Sequence, residues 1–120
     1  MSARIHGIGV DVVDLARFAR TLERTPEVGS RLFTPAEATL SLESRAARFA
    51  AKEAFVKALR TPAGMSWQDV EVVTDAAGAP SFRLHGAAER RVAELDATLH
   101  LSLSHDTSVA TAFVVAEVPA

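Results

Sequence analysis

The chain has 120 residues, 48% hydrophobic, 23% charged and 6% aromatic, which is the size and balance of one globular domain and not of a disordered segment. A formal charge of −2 argues against a surface built to bind phosphate backbones, and no apolar run reaches the roughly 18 residues of a membrane span. Neither nucleic acid nor membrane is therefore an expected partner, a soluble cytoplasmic protein is the starting expectation, and the absence of cysteine leaves any metal to oxygen or imidazole ligands.

No repeat or linker divides the chain, and residues 1–120 are expected to form one α+β unit. Residues 4–13 are β-rich, with Ile8, Val10 and Val12 on one face and Gly7, Gly9, Asp11 and Val13 on the other. Asp14 is placed to cap a helix over about residues 15–25, whose apolar stripe is Leu15, Phe18, Ala19 and Leu22 and whose outer side carries Arg17, Arg20 and Arg24. Thr34, Pro35 and Glu37 spell a helix start with a capping box, opening a short helix through about residue 42. Ser44 is the expected cap of the longest helix, about 45–60, and a turn follows around Pro62–Gly64. A strand near 69–74, a turn over Asp75–Pro80, a strand near 81–84 and a helix at 86–95 come next. Two strands close the chain, Thr98 to Ser104 and Ser108 to about Val118, and the apolar run Ala112–Ala116 suggests a last strand covered on both faces.

The long helix is apolar nearly all round, so a carboxylate within its apolar arc, Glu53, needs a partner. An internal ion pair to Lys57, four residues on, is the plainer reading. Eleven of the thirteen basic residues are arginine, and the two lysines, Lys52 and Lys57, both fall on this helix. Either chance or a need for a compact ammonium explains that choice. Asp11 lies in an apolar strand beside two glycines, which mark close approach of a ligand or of another backbone. Two carboxylates with lysines nearby suit a Mg²⁺ ion shared with substrate phosphates, while a bulge glycine and a capping aspartate account for the same residues without chemistry.

In Leu99–Asp106 the leucines alternate with His100, Ser102 and Ser104, and His105 ends the strand. Ser104 and His105 suit a phosphate or simply a wet face. A Ser/His/Asp triad fails, because adjacent residues cannot place base and nucleophile and no Gly-x-Ser-x-Gly elbow is present. No histidine pair has i, i+4 spacing, so zinc is not expected.

Taken in order, Gly7-Ile8-Gly9-Val10-Asp11, Phe33-Thr34-Pro35-Ala36-Glu37, Arg48-Phe49-Ala50-Ala51-Lys52-Glu53-Ala54 with Lys57-Ala58, Gly78-Ala79-Pro80 and Leu101-Ser102-Leu103-Ser104-His105 resemble the motifs of the holo-(acyl carrier protein) synthases, small 4′-phosphopantetheinyl transferases. The resemblance covers essentially the whole chain. It implies an antiparallel sheet packed with a long central helix, and transfer of 4′-phosphopantetheine from coenzyme A to a serine of an apo-acyl carrier protein, releasing adenosine 3′,5′-bisphosphate. By that resemblance Asp11 and Glu53 hold Mg²⁺, with Mn²⁺ left open, and Glu53 accepts the serine proton directly or through a metal-bound water. Lys57 stabilises charge on the diphosphate; Arg48, Lys52, Ser104 and His105 contact the coenzyme. Arg17, Arg20 and Arg24 dock the acidic carrier protein. The resemblance also implies a homotrimer with sites at subunit interfaces. The chain departs from the family at Arg60-Thr61-Pro62, where Arg60 and Pro62 stand in place of glycines. A non-catalytic carrier-protein or adenine-nucleotide binding module on the same fold is the alternative.

Overall fold

The structure, a computed structural model, describes residues 2–60 and 64–120. Strand β1 (Ala3–Asp14) runs directly into helix α1 (Leu15–Arg24), and α2 (Pro26–Leu32), α3 (Pro35–Ala38) and the long α4 (Leu42–Leu59) follow. Beyond a 3₁₀ turn at Trp67–Asp69 come β2 (Val70–Thr74), β3 (Pro80–Leu84), α5 (Gly86–Leu95), β4 (Thr98–His105) and β5 (Val109–Pro119). The α+β class holds. β5 lies between β1 and β4 in a three-stranded antiparallel sheet, β2 and β3 pair as a separate hairpin, and α4 packs across β1 and β5.

Local chemistry sets most of the element ends. The Asp14 carboxylate accepts the Arg17 N–H at 2.9 Å and so caps α1, a bond of the kind worth about 1 kcal/mol. Thr34 and Glu37 form the reciprocal capping box that opens α3. That helix stops at Ala38, short of the expected residue 42, because the Thr39 hydroxyl turns back to donate to the Ala36 carbonyl and Ser41 then starts a new helix. Ser41, not Ser44, is the cap of α4; Ser44 supplies the N–H that the Ser41 hydroxyl accepts. Helix α2 was not expected from the sequence: Pro26 suits its first turn, but its seven residues bury only Leu32 fully. The Asp75 carboxylate accepts the Ala77 and Ala79 N–H groups and Gly78 takes a φ of 86°, which makes the expected turn between β2 and β3.

The core lies between α4 and the sheet. Ala47, Ala51, Ala54 and Ala58, the small-residue face of the helix, are all buried, as are Ala110, Ala112, Val114 and Ala116 on the inner face of β5. Small residues on both sides bring backbone close to backbone. A Cβ on Gly7 would overlap the Ala58 carbonyl oxygen, and one on Gly9 the Ala54 carbonyl oxygen. The two glycines of β1 therefore mark the approach of α4 and not of a ligand. That seating carries the last two turns of α4 onto the strand that holds Asp11.

The opposite face of the sheet is open. Ile8, Val10 and Val12 are 55%, 50% and 62% exposed, and Phe113 on β5 stands beside Val10 at 46%. The expectation of a last strand covered on both faces fails for the chain by itself, since α4 covers only one side.

At its C-terminus α4 ends on Arg60 in the left-handed conformation, φ 49° and ψ 59°. Such a backbone suits glycine and costs another residue about 1–2 kcal/mol, so the Arg60 departure carries local strain. Thr61 and Pro62, the rest of that departure and part of the expected turn, lie outside the described residues.

Candidate active site

β1 and α4 bring three charged groups together. Asp11 projects from β1 on the side facing α4, while Glu53 and Lys57 stand one helical turn apart on α4. Lys57 does not pair with Glu53. Its ammonium donates to the Val10 carbonyl at 2.9 Å and lies 3.4 Å from Asp11 Oδ1, the first a good hydrogen bond and the second a long one. Glu53 takes part in no ion pair among the described residues. Burial pushes its carboxyl above the ordinary carboxylate range, the Asp11 charge pushes the same way, and Lys57 opposes both.

Asp11 and Glu53 open into a cleft of about 440 Å³ between β1, α1, α2 and α4, lined also by Arg17, Phe18, Val28, Leu32 and Phe49. Phe18 and Phe49 stack at 5.6 Å and build its apolar wall. Arg17 comes from the first helix, so one end of the expected basic docking face reaches the rim; Arg20 and Arg24 continue it, exposed, along α1. The lining carries three carboxylates, Asp11, Asp14 and Glu53, against one guanidinium, Arg17, with the Lys57 ammonium beside Asp11, so the cleft is short of positive charge. No group of three or more acidic or histidine side chains able to hold a metal occurs among the described residues. Two hard oxygen donors on rigid elements nonetheless fit Mg²⁺ or Mn²⁺, which take one or two protein carboxylates and complete their shell from phosphate and water.

The expected coenzyme contacts divide. Lys52 is fully buried and spends its three donors on Glu37 Oε1 at 2.9 Å, the Trp67 carbonyl at 3.1 Å and the Val70 carbonyl at 2.8 Å. No proton is left for a phosphate, so Lys52 is a structural residue and the expectation of a coenzyme contact there is corrected. Burial lowers the affinity of its ammonium for the proton, and the Glu37 carboxylate works against that loss. Arg48 is 8% exposed and donates through Nε to the Val72 carbonyl and through one terminal nitrogen to the Ser44 carbonyl, both at 3.4 Å. It lines a second cleft of about 210 Å³ together with Thr74 and Arg83, where two guanidinium groups share one opening. Ser104 and His105 are exposed at the end of β4, opposite Thr111 and Ala110 of β5, and do not line the cleft of Asp11 and Glu53.

Three polar residues that matter were not singled out from the sequence for the contacts they make. Glu37 was expected only as a cap, yet it also accepts the Lys52 ammonium and the Val72 N–H. Glu71 accepts the Thr34 hydroxyl at 2.9 Å. Burial would raise its carboxyl, but Thr34, His85 and Arg83 together hold it below the ordinary range. Thr111 donates to the Asp11 carbonyl at 2.8 Å. One signal for the first was present: residues 48, 52, 55 and 59 fall on a single helical stripe, and Phe55 and Leu59 mark that stripe as core.

With this geometry in place, comparison with known proteins gives a consistent result. A family model described as ACPS, the 4′-phosphopantetheinyl transferase superfamily, matches residues 7–114. The chain is 62% identical to a holo-[acyl-carrier-protein] synthase of Clavibacter sepedonicus over 94% of this chain and 96% of that one. Among solved structures it is similar to the holo-[acyl-carrier-protein] synthase of Neisseria meningitidis, with a TM-score of 0.84 and 34% identity over 94% of this chain and 98% of that one. The Chronobacterium ammoniagenes ACPS–CoA complex matches with a TM-score of 0.84 and 30% identity over the full length of both chains, 100% of each.

Proposed function

The chain belongs to the 4′-phosphopantetheinyl transferase superfamily, and from that premise we propose which of its residues carry the reaction. It transfers 4′-phosphopantetheine from coenzyme A to an apo-acyl carrier protein. The site of that transfer is the cleft of Asp11 and Glu53, and the observation that carries this reading is the pair of carboxylates left without full partners beside an ammonium on a rigid strand and helix.

In the proposed step the oxygen of a carrier serine attacks the phosphorus that bears the pantetheine arm. The new O–P bond forms as the bridging P–O bond to the adenosine half breaks, and adenosine 3′,5′-bisphosphate leaves with the bonding electrons. Glu53, on the rigid helix at the wall of the cleft, is the group placed to take the serine proton. Lys57, half-exposed at the mouth, offsets the charge that builds on the departing phosphate. Asp11 and Glu53 are the residues that would hold a divalent cation, Mg²⁺ or Mn²⁺, whose contribution when bound is to neutralise the diphosphate and polarise it for attack. Arg17, Arg20 and Arg24 on the outer face of α1 dock the acidic carrier, with Arg17 nearest the reacting groups.

Arg48, Ser104 and His105 contact the coenzyme around its 3′-phosphate. Because Ser104 and His105 lie away from the Asp11 cleft within one chain, they reach it from a neighbouring copy. The open sheet face of Ile8, Val10, Val12 and Phe113 is the contact that assembles a homotrimer with sites shared between subunits. No helix among the described residues is long and apolar enough to cross a membrane, and the enzyme is proposed to act in the cytoplasm as a single transferase domain.

The test is incubation with coenzyme A, Mg²⁺ and each of several apo-carrier proteins, followed by mass spectrometry of the carrier. The reading predicts a phosphopantetheine addition that a chelator abolishes. Addition unaffected by chelation would remove the metal from the account, and a monomer in sedimentation would remove the shared site.

A further inference from the structure

Asp11 is held by its backbone as well as by its neighbours in the cleft. The peptide before it is fixed at the Val10 carbonyl, which accepts the Lys57 ammonium at 2.9 Å from the side of the sheet that faces α4. The peptide after it is fixed at its own carbonyl, which accepts the Thr111 hydroxyl at 2.8 Å. Thr111 is the cross-strand partner of Val12, so its side chain lies on the open face of the sheet, opposite to the Asp11 carboxylate. Two side-chain donors from opposite faces thus grip the two peptide planes that meet at the Asp11 Cα. With both planes fixed, φ and ψ of Asp11 are fixed, and so is the direction in which its Cβ leaves the strand.

The choice of threonine at this place needs a reason. Its neighbours on that face are Val10, Val12 and Phe113, large and apolar, toward β1 and along β5, and Ser104 across on β4. Valine has the same shape as threonine, the same stiff χ1 and a better match to the three apolar neighbours. What threonine adds is the one donor that reaches the Asp11 carbonyl. The carbonyl has two lone pairs, so it takes this bond without giving up a place in the ladder with β5.

We propose that Thr111 is a positioning residue for Asp11, setting the aim of the carboxylate toward a divalent cation through the hydrogen bond on the Asp11 carbonyl. The inference rests on the reading of Asp11 as a metal ligand and adds a residue that touches neither metal nor substrate. Groups that orient a ligand from behind typically change metal affinity by about 10- to 100-fold when removed. A bond to the backbone of the ligand acts less directly than one to its side chain, so the low end of that range applies.

The test uses the intact protein with coenzyme A present and Mn²⁺ as the probe, titrated by calorimetry, on Thr111→Val, Thr111→Ser and Asp11→Asn. Thr111→Val is expected to weaken Mn²⁺ binding about 10-fold and to raise the metal concentration for half-maximal transfer more than it lowers the rate at saturating metal. Thr111→Ser, which keeps the hydroxyl, is expected to recover most of the affinity, and both variants to melt within about two degrees of the wild type and to sediment as it does, since valine keeps the shape of the side chain and serine removes one methyl group. Wild-type Mn²⁺ affinity in Thr111→Val, with Asp11→Asn impaired, overturns the role of Thr111 and leaves the metal reading standing. Wild-type affinity in Asp11→Asn overturns both. A loss in Thr111→Val that serine does not recover, accompanied by a fall in melting temperature, also overturns the proposal, since it marks general loosening of the sheet.

Discussion

Helix α4 presents two lysines about 140° apart around its axis, and each meets a carboxylate in a different setting. Lys52 faces the hairpin side of the core, where every donor has an acceptor and Glu37 is satisfied on both oxygens by the Thr34 N–H, the Lys52 ammonium and the Val72 N–H. Lys57 faces the cleft, where one ammonium stands against two carboxylates and Glu53 has no ion-pair partner among the described residues. The first cluster is buried and closed; the second is open and one cation short. Completion of the first by the fold itself makes it a stabilising element. The deficit in the second is what the proposed substrate and cation would fill, and the helix carries both because its two sides meet different partners.

The largest effect should follow from opening the closed cluster. Lys52→Met strands the Glu37 carboxylate and two carbonyls in the core, and breaking a buried pair by removing one partner costs about 3–5 kcal/mol. Urea unfolding should show that loss, and a change under about 1 kcal/mol would mean that the cluster does not hold the fold as described. Lys57→Met should behave in the opposite way, leaving the unfolding midpoint close to that of the wild type and lowering the transfer rate about 10²- to 10³-fold. If its stability falls with the rate, the two lysines are not separated in the manner argued.

Smaller effects sharpen the same contrast. Arg17→Glu should raise the KM for the carrier several-fold, more at low salt, with coenzyme affinity unchanged; a loss of coenzyme affinity would reassign this side of the cleft. The smallest is a pH effect at the edge of the closed cluster. Glu71 binds its proton less readily when folded than when unfolded, so its contribution to stability is complete above about 4.5 and is lost as the pH falls below it. Glu71→Gln should therefore flatten the acid arm of the stability curve. An unchanged acid arm would show that Thr34, His85 and Arg83 do not hold that carboxylate in its charged form.

Much of this was legible in the sequence where the cause is local. The Asp14 cap, the Thr34–Glu37 capping box and the alternation of Leu99, Leu101 and Leu103 are spelled by residues within a few positions of each other, and each holds in the structure. Failures come where the cause is distant. Lys52 meets Glu37 from 15 positions away and Val70 from 18, so its burial was hidden behind a charge that reads as exposed. The glycines of β1 signalled close approach, but only the packing of α4 shows that the approaching group is the helix backbone. Ser41 and Ser44 are equally good caps on paper, and the turn made by Thr39 and Leu40 decides between them. In the site itself Asp11, Glu53 and Lys57 lie together, with Lys57 turned to Asp11 and not to Glu53 as the helix spacing suggested, whereas Ser104 and His105 lie apart from them within one chain, because the sheet places β5 between β4 and β1.

The most direct measurement is the transfer rate of Glu53→Gln beside that of the wild type, read as phosphopantetheine added to an apo-carrier with coenzyme A and Mg²⁺ present. Glutamine keeps the shape and removes both the charge and the proton acceptor. The account predicts a fall of about 10²- to 10⁴-fold, weaker metal-dependent binding of the coenzyme, and an unfolding midpoint no lower than that of the wild type, since a carboxylate that burial disfavours has been removed. A wild-type rate in Glu53→Gln would contradict it and move the chemistry out of this cleft.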